Sequence, residues 1–295
     1  MLNIGTQSTR SASHVHAMRA MPQFSLAHLT ALAYSPPELT EIAARAGYDF
    51  VSFRTIPLGL PGERVYALDK DRALFNQTRT ALRSSEMRVL DIELARIYEG
   101  VDVKNYVPAM EAGAQLGARH LLSSAWCSDR AFVLERFIEL CELAEPFGLT
   151  VDFEFVTFTP YRNLRDAAEL VRASRCANAG ICIDTLHFDR SDCNIDELAE
   201  LPPHWMHYAQ ICDGPANYAV DEPSMKRIAR EARLYLGEGG IDVPGILSHL
   251  PAMPYSIELP NTARLRELGP TEFARRCRVT ALKCLVGEPV HSIAA

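Results

Sequence analysis

This chain of 295 residues has no C-x-x-C pair, no apolar run of transmembrane length and no surplus of basic residues. Each absence excludes something. Without paired spacing, the eight cysteines (Cys127, Cys141, Cys176, Cys182, Cys193, Cys212, Cys277 and Cys284) read as free thiols in a reducing, cytoplasmic setting. Several sit in apolar runs such as Gly180-Ile181-Cys182-Ile183, which argues against disulfides or a zinc knot. The formal net charge of -7 argues against nucleic-acid or anionic-membrane partners, because both need a basic footprint. Acids are missing from Met1 to Met21, and so is the apolar stretch of a secretory signal. Residues 1–22 therefore read as a disordered extension, or as sequence upstream of a true start at Met18 or Met21; His14 and His16 within it read as inert. No linker-like composition interrupts residues 24–285. One domain over 23–287 is expected, with a short tail over 288–295.

What is present is an alternation of short β-branched runs with longer helical patterns. The runs begin at Phe24, Tyr48, Arg88, Arg119, Thr150, Gly180, His207 and Tyr255. Eight strand candidates alternating with helices predict an α/β fold, a (β/α)8 TIM barrel of parallel strands. Hydrophobic residues at 48% supply a core of that size. Punctuation supports the helices. Ser35-Pro36-Pro37 caps and starts one, and Gly47 ends it. Val133, Leu134, Phe137, Ile138 and Cys141 repeat at helical spacing before a stop at Gly148. The interval from Asp213 to Gly240 is long and belongs to a loop at the C-terminal face, where active sites of this fold are built.

Four polar residues end consecutive strands: Glu154, Asp184, Gln210 and Glu258. A lone glutamate late in a strand is ordinarily a solvated end residue. Strand alternation changes that reading, because Phe153 and Phe155 facing the helices would turn Glu154 into the barrel. The same parity pairs Asp184 with Cys182, Gln210 with Tyr208 and Glu258 with Ser256. Three carboxylates and an amide at one mouth would repel and be desolvated unless a cation joins them. An all-oxygen set suits one divalent metal ion, Mn2+ or Mg2+ rather than Zn2+. His187, in Asp184-Thr185-Leu186-His187, reads as a substrate contact or proton carrier, against the alternative of a loop histidine bonded to a backbone carbonyl. His28 and Arg54 end the first two strands; Arg54 could hold a substrate carboxylate or be a surface arginine. Glu93 extends the polar mouth or pairs with Arg54. Arg233 is a substrate clamp or a helical surface residue. Asp152 has inward parity, with no partner evident. His204 and His207 precede the seventh strand, at the wrong end for catalysis, and read as structural.

These residues resemble the xylose isomerase-like superfamily of TIM barrels, which includes sugar phosphate isomerases and epimerases, hydroxypyruvate isomerase, inosose dehydratase and 3-dehydroshikimate dehydratase. The resemblance covers nearly the whole chain after residue 23. It is carried by Phe153-Glu154-Phe155, Asp184 to His187, Gln210 to Pro215, Gly237 to Asp242 and Ser256-Ile257-Glu258. It implies that Glu154, Asp184, Gln210 and Glu258 bind the metal, that Glu154 and Glu258 double as the acid/base pair, and that His187 touches substrate. Many ketose epimerases have histidine at the third ligand position; Gln210 departs from that pattern and is shared with hydroxypyruvate isomerase and the two dehydratases. The expected function is isomerisation or epimerisation of a small sugar or hydroxy-keto acid through an enediolate. A dehydratase of the inosose or 3-dehydroshikimate type is the alternative, and a non-catalytic ligand-binding barrel a third. An endonuclease IV-like role would need a histidine-rich three-metal site and a basic surface, and neither is present. The expected partner is a small molecule; a homo-oligomer through the outer helices is compatible with the sequence.

Overall fold

The computed structural model describes residues 21–59, 63–191 and 193–286. The extension up to residue 20 and the tail 288–295 lie outside them. Along the chain run β1 (Phe24–Leu26), α1 (Pro36–Ala46), β2 (Phe50–Arg54), α2 (Arg72–Ser84), β3 (Arg88–Ile97), α3 (Val107–Gln115), β4 (His120–Ala125), α4 (Arg130–Ala144), β5 (Thr150–Glu154) and α5 (Leu164–Ser174). There follow β6 (Ala179–Asp184), α6 (Thr185–Asp189), α7 (Asp196–Ala199), β7 (Ala209–Ile211), α8 (Glu222–Glu231), α9 (Val243–Ser248), β8 (Tyr255–Ile257), α10 (Thr262–Leu268) and α11 (Pro270–Val286). The strands pair in sequence order, all parallel, and β8 closes on β1.

The helix signals act as expected. Glu38 reaches back to the Ser35 backbone N–H at 2.8 Å, and Gly47 takes the left-handed conformation that ends α1. Asp129 caps α4 through the N–H groups of Ala131 and Phe132. Strand parity also holds: Phe153 points outward, edge-on to Phe137 of α4 at 5.7 Å. The opposite face of the sheet encloses a small cluster of Phe50, Leu90, Leu94, Leu122, Cys182 and Tyr208. Most strands differ in length from the runs read in the sequence; β1 and β3 show the two directions of change. β1 stops at Leu26, because His28–Ala31 winds into a 3-10 turn. β3 runs on to Ile97, beyond the seven-residue run that starts at Arg88.

The long interval after β7 carries α8 and is held by Asp213. This buried carboxylate accepts N–H groups from Gly214, Gly237, Gly239 and Ile241 at 2.7 to 3.1 Å. Its backbone also exchanges hydrogen bonds with Leu234. A Cβ on Gly239 would fall 2.0 Å from the Gly214 carbonyl oxygen and 2.3 Å from Asp213 Oδ1, so only glycine lets the loop close this tightly. The clasp fixes the segment that carries Arg233. Replacing Asp213→Ala strands four backbone donors; we expect a loss of at least about 3 kcal/mol in denaturant unfolding. A change below about 1 kcal/mol would show that the clasp is incidental.

Candidate active site

Glu154, Asp184 and Gln210 stand at or near the C-terminal ends of β5, β6 and β7, and Glu258 immediately follows β8. All four are buried, and the fold brings them to one mouth. Gln210 Nε2 donates to Glu258 Oε1 at 3.1 Å. Asp184 Oδ1 accepts the N–H groups of Leu186 and His187 at the start of α6.

Arg233 occupies the space between two of these acids. Its Nη1 lies 2.6 Å from Asp184 Oδ2 and its Nη2 lies 2.8 Å from Glu258 Oε2. Nε and Nη1 also donate to the carbonyls of Ala229 and Glu258. At 1% exposure it is a buried structural cation rather than a helical surface residue, and its donors are committed to the protein's own groups. No arginine or lysine pairs with Glu154 among the described residues. Its Oε1 lies 4.0 Å from His187 Nε2.

The titration of these groups follows from that asymmetry. Burial, reinforced by Glu258 and Asp184, holds the Glu154 carboxyl well above the usual range. Burial likewise pushes Glu258 up to about 8, against the pull of Arg233. Burial acts the same way on Asp184, but Arg233 and His187 outweigh it and the carboxyl stays below its usual value. Burial lowers His187 to about 4, so the imidazole is neutral. Thr157 N–H donates to His187 Nδ1, which leaves Nε2 as the donor facing Glu154.

The remaining sequence candidates are placed as follows. His28 accepts the Arg54 N–H at Nδ1 and bonds the Tyr34 carbonyl through Nε2, so both nitrogens serve the backbone; its ring stacks on Tyr66. Arg54 Nε lies 3.2 Å from Glu93 Oε1, without the angle of a hydrogen bond. Asp152 bonds His207 at the other end of the barrel. Sequence reasoning missed the Asp213 clasp, although Asp213 lies within a motif it singled out. It also missed a wall beside His187. Phe158 meets the His187 ring at 5.7 Å, Trp126 at 6.0 Å and the Arg230 guanidinium at 5.8 Å, and Arg96 lies 5.7 Å from Trp126. No periodicity marks these residues, since they come from two loops, the end of β3 and a face of α8.

The sequence matches the family described as xylose isomerase-like TIM barrel over residues 40–275. The chain belongs to this family. An inosose isomerase of Bacillus velezensis is 23% identical over 230 residues, covering 71% of this chain and 76% of that protein. A 3-dehydroshikimate dehydratase of Pseudomonas aeruginosa is 29% identical over 126 residues, 42% of this chain and 19% of that longer protein. Among solved structures, the IolI protein with a bound zinc atom superposes with a TM-score of 0.73 at 19% identity, covering 91% of this chain and all of that one. The D-allulose 3-epimerase of Methylomonas sp. gives 0.63 at 16% identity, covering 88% of this chain and 96% of that one. At these identities the structures speak to the fold. The relatives are isomerases, epimerases and dehydratases.

The donor set of this xylose isomerase-like barrel fits a divalent ion. Ligand atoms of Glu154, Asp184 and His187 all lie within 4.8 Å of one another. Arg233 supplies one positive charge for three buried acids, and burial raises the other two, Glu154 and Glu258; a divalent cation would let these carboxyls ionise. Among the described residues no helix is long and apolar enough to cross a membrane.

The acid cluster has a pH signature. Glu258 faces Arg233, Glu93, Asp184 and Arg54, and its folded value of about 8 exceeds the ordinary 4.5. A carboxyl raised in the fold stabilises it fully below the unfolded value, and that contribution is lost as pH rises through the folded value. Chelator-treated protein should therefore lose thermal stability between about pH 5 and pH 8, and added Mn2+ should flatten the decline. A melting temperature that rises across that window, or that ignores the metal, would contradict the assignment.

Proposed function

We propose that this chain is a divalent-metal-dependent enzyme that moves a proton next to the carbonyl of a small sugar or hydroxy-keto acid. The observation that carries this is the pair Glu154 and Glu258. Both are buried at one mouth; burial raises both carboxyls, Glu258 to about 8, which favours proton exchange over permanent ionisation. Glu154, Asp184, Gln210 and Glu258 would hold the ion, with His187 beside it on the substrate side. The oxygen-rich set favours Mn2+ or Mg2+; the zinc in the IolI structure makes Zn2+ the comparison ion. When bound, such an ion supplies charge that stabilises the oxyanion of an enediolate.

The protein's own residues do the rest. One glutamate takes the proton from the carbon beside the carbonyl, and the other delivers a proton to the neighbouring carbon or the opposite face. His187 donates from Nε2 to a substrate oxygen while staying neutral. Arg233 keeps Asp184 ionised and fixes Glu258. Phe158 and Trp126 offer an apolar wall beside His187. Arg54 and Arg233, the expected carboxylate clamps, are both engaged by acids of the chain. Arg230 forms no ion pair among the described residues and stands at the same wall, so an acid substrate would meet Arg230 and Arg96 instead. These cations and the likeness to a 3-dehydroshikimate dehydratase support a second reading. There the delivered proton leaves with a β-hydroxyl as water.

The common first step is testable without knowing the substrate's fate. Incubated in D2O with Mn2+ and a panel of ketoses, inososes and hydroxy-keto acids, the protein should place deuterium at the carbon beside the carbonyl of one compound. Glu154→Gln and Glu258→Gln should each slow exchange at least about 100-fold. An isomer of equal mass then identifies an isomerase or epimerase, and loss of water a dehydratase. Tight binding of a compound with no exchange would mark a binding barrel and defeat the proposal.

A further inference from the structure

The barrel has a second group of metal-ligand type, at its N-terminal end. Asp152 lies in β5 two residues before Glu154, about 7 Å lower along the strand, and is fully buried. His120 opens β4, and His207 stands two residues before β7. His207 Nδ1 lies 2.7 Å from Asp152 Oδ1. His120 Nδ1 lies 3.6 Å from Asp152 Oδ2 and 2.7 Å from the Thr150 hydroxyl, which itself donates to Asp152 Oδ2 at 2.5 Å. The two imidazoles stack at 5.5 Å. One ligand atom from each of the three residues fits within 4.8 Å.

Two further observations separate this group from an ordinary buried histidine–aspartate bond. The first is the charge balance. No arginine or lysine pairs with Asp152 among the described residues; its partners are a hydroxyl and two imidazoles. The second is the space around it. Gly180 in β6 sits against the cluster, and a Cβ there would come 2.4 Å from Asp152 Oδ1 and 2.6 Å from His207 Nδ1. The glycine keeps room for three side chains to converge. The histidine side chains are 12% and 23% exposed, so the group opens to solvent on one side and a water could complete the coordination.

We propose that His120, Asp152 and His207 form a second, structural cation site for Zn2+ or a similar late divalent metal. Two nitrogens and one oxygen suit Zn2+, whereas the oxygen-rich mouth suits harder ions. The site ties β4, β5 and the approach to β7 together at the closed end of the barrel. It stands independently of what the mouth catalyses.

The test is Zn2+ content and affinity on chelator-stripped full-length protein. Reloaded with Zn2+ and desalted, wild type should hold one Zn2+ per chain more than His120→Ala/His207→Ala, with Zn2+ raising the melting temperature of wild type further. His207→Asn alone, a milder change, should weaken the lower-site affinity at least tenfold, as should Gly180→Ala, which keeps all three ligands. Equal Zn2+ content and affinity in wild type and His207→Asn would overturn the proposal and assign any extra ion to cysteine thiols.

Discussion

Asp184, Arg233 and Glu258 form a buried chain of charge across the mouth of the barrel, and much else in the molecule serves to keep it there. One guanidinium bonds two carboxylates at 2.6 and 2.8 Å with almost no access to water. Such a triad is costly to bury and is retained only when its geometry is well supported. The support is visible. The carbonyls of Ala229 and Glu258 take further Arg233 donors, the start of α6 satisfies Asp184, and Gln210 satisfies Glu258. The Asp213 clasp holds the backbone from which Arg233 projects. What the triad does not provide is a cation for Glu154. In the proposed function that acid, three strands from Glu258 in the barrel, is the other member of the pair that moves the proton.

Strand alternation made much of this readable before any coordinates. Phe153 and Phe155 flank Glu154, and their burial against the outer helices forces the glutamate inward. The same parity led to Asp184, Gln210 and Glu258, because each lies at or next to the end of a short strand of known direction. The pairing of Arg233 was not readable. It sits just past α8, and only the fold carries that segment back over β6 and β8. Arg54 and Glu93 are on neighbouring strands, so their contact could be anticipated, but not whether Arg54 would remain free for substrate. His28 ends a strand in sequence, yet the chain turns there and spends both ring nitrogens on backbone groups. Asp152 had a direction and no partner, because His120 and His207 come from different strands and meet it only when the barrel closes.

The same frame explains why the family's chemistry is easy to place and its substrate is not. Proton transfer beside a carbonyl needs two acids, a neutral donor and positive charge, and these are fixed by strand ends. In the proposed function, specificity would rest on the wall of Phe158, Trp126, Arg96 and Arg230, whose members come from loops, a strand end and α8. Loops and exposed helix faces vary without cost to the core, so the isomerase, epimerase and dehydratase relatives can share one barrel and differ in what they bind.

The central claim is that the buried acids at the mouth are a divalent-metal site. Electron paramagnetic resonance during a Mn2+ titration reads this directly, because bound Mn2+ leaves the free-ion signal. The account requires about one Mn2+ per chain for the wild-type protein, and loss of that binding in Glu154→Ala/Glu258→Ala. A folded wild-type protein that leaves Mn2+ free at millimolar concentration, or a double variant that binds it equally well, would contradict it.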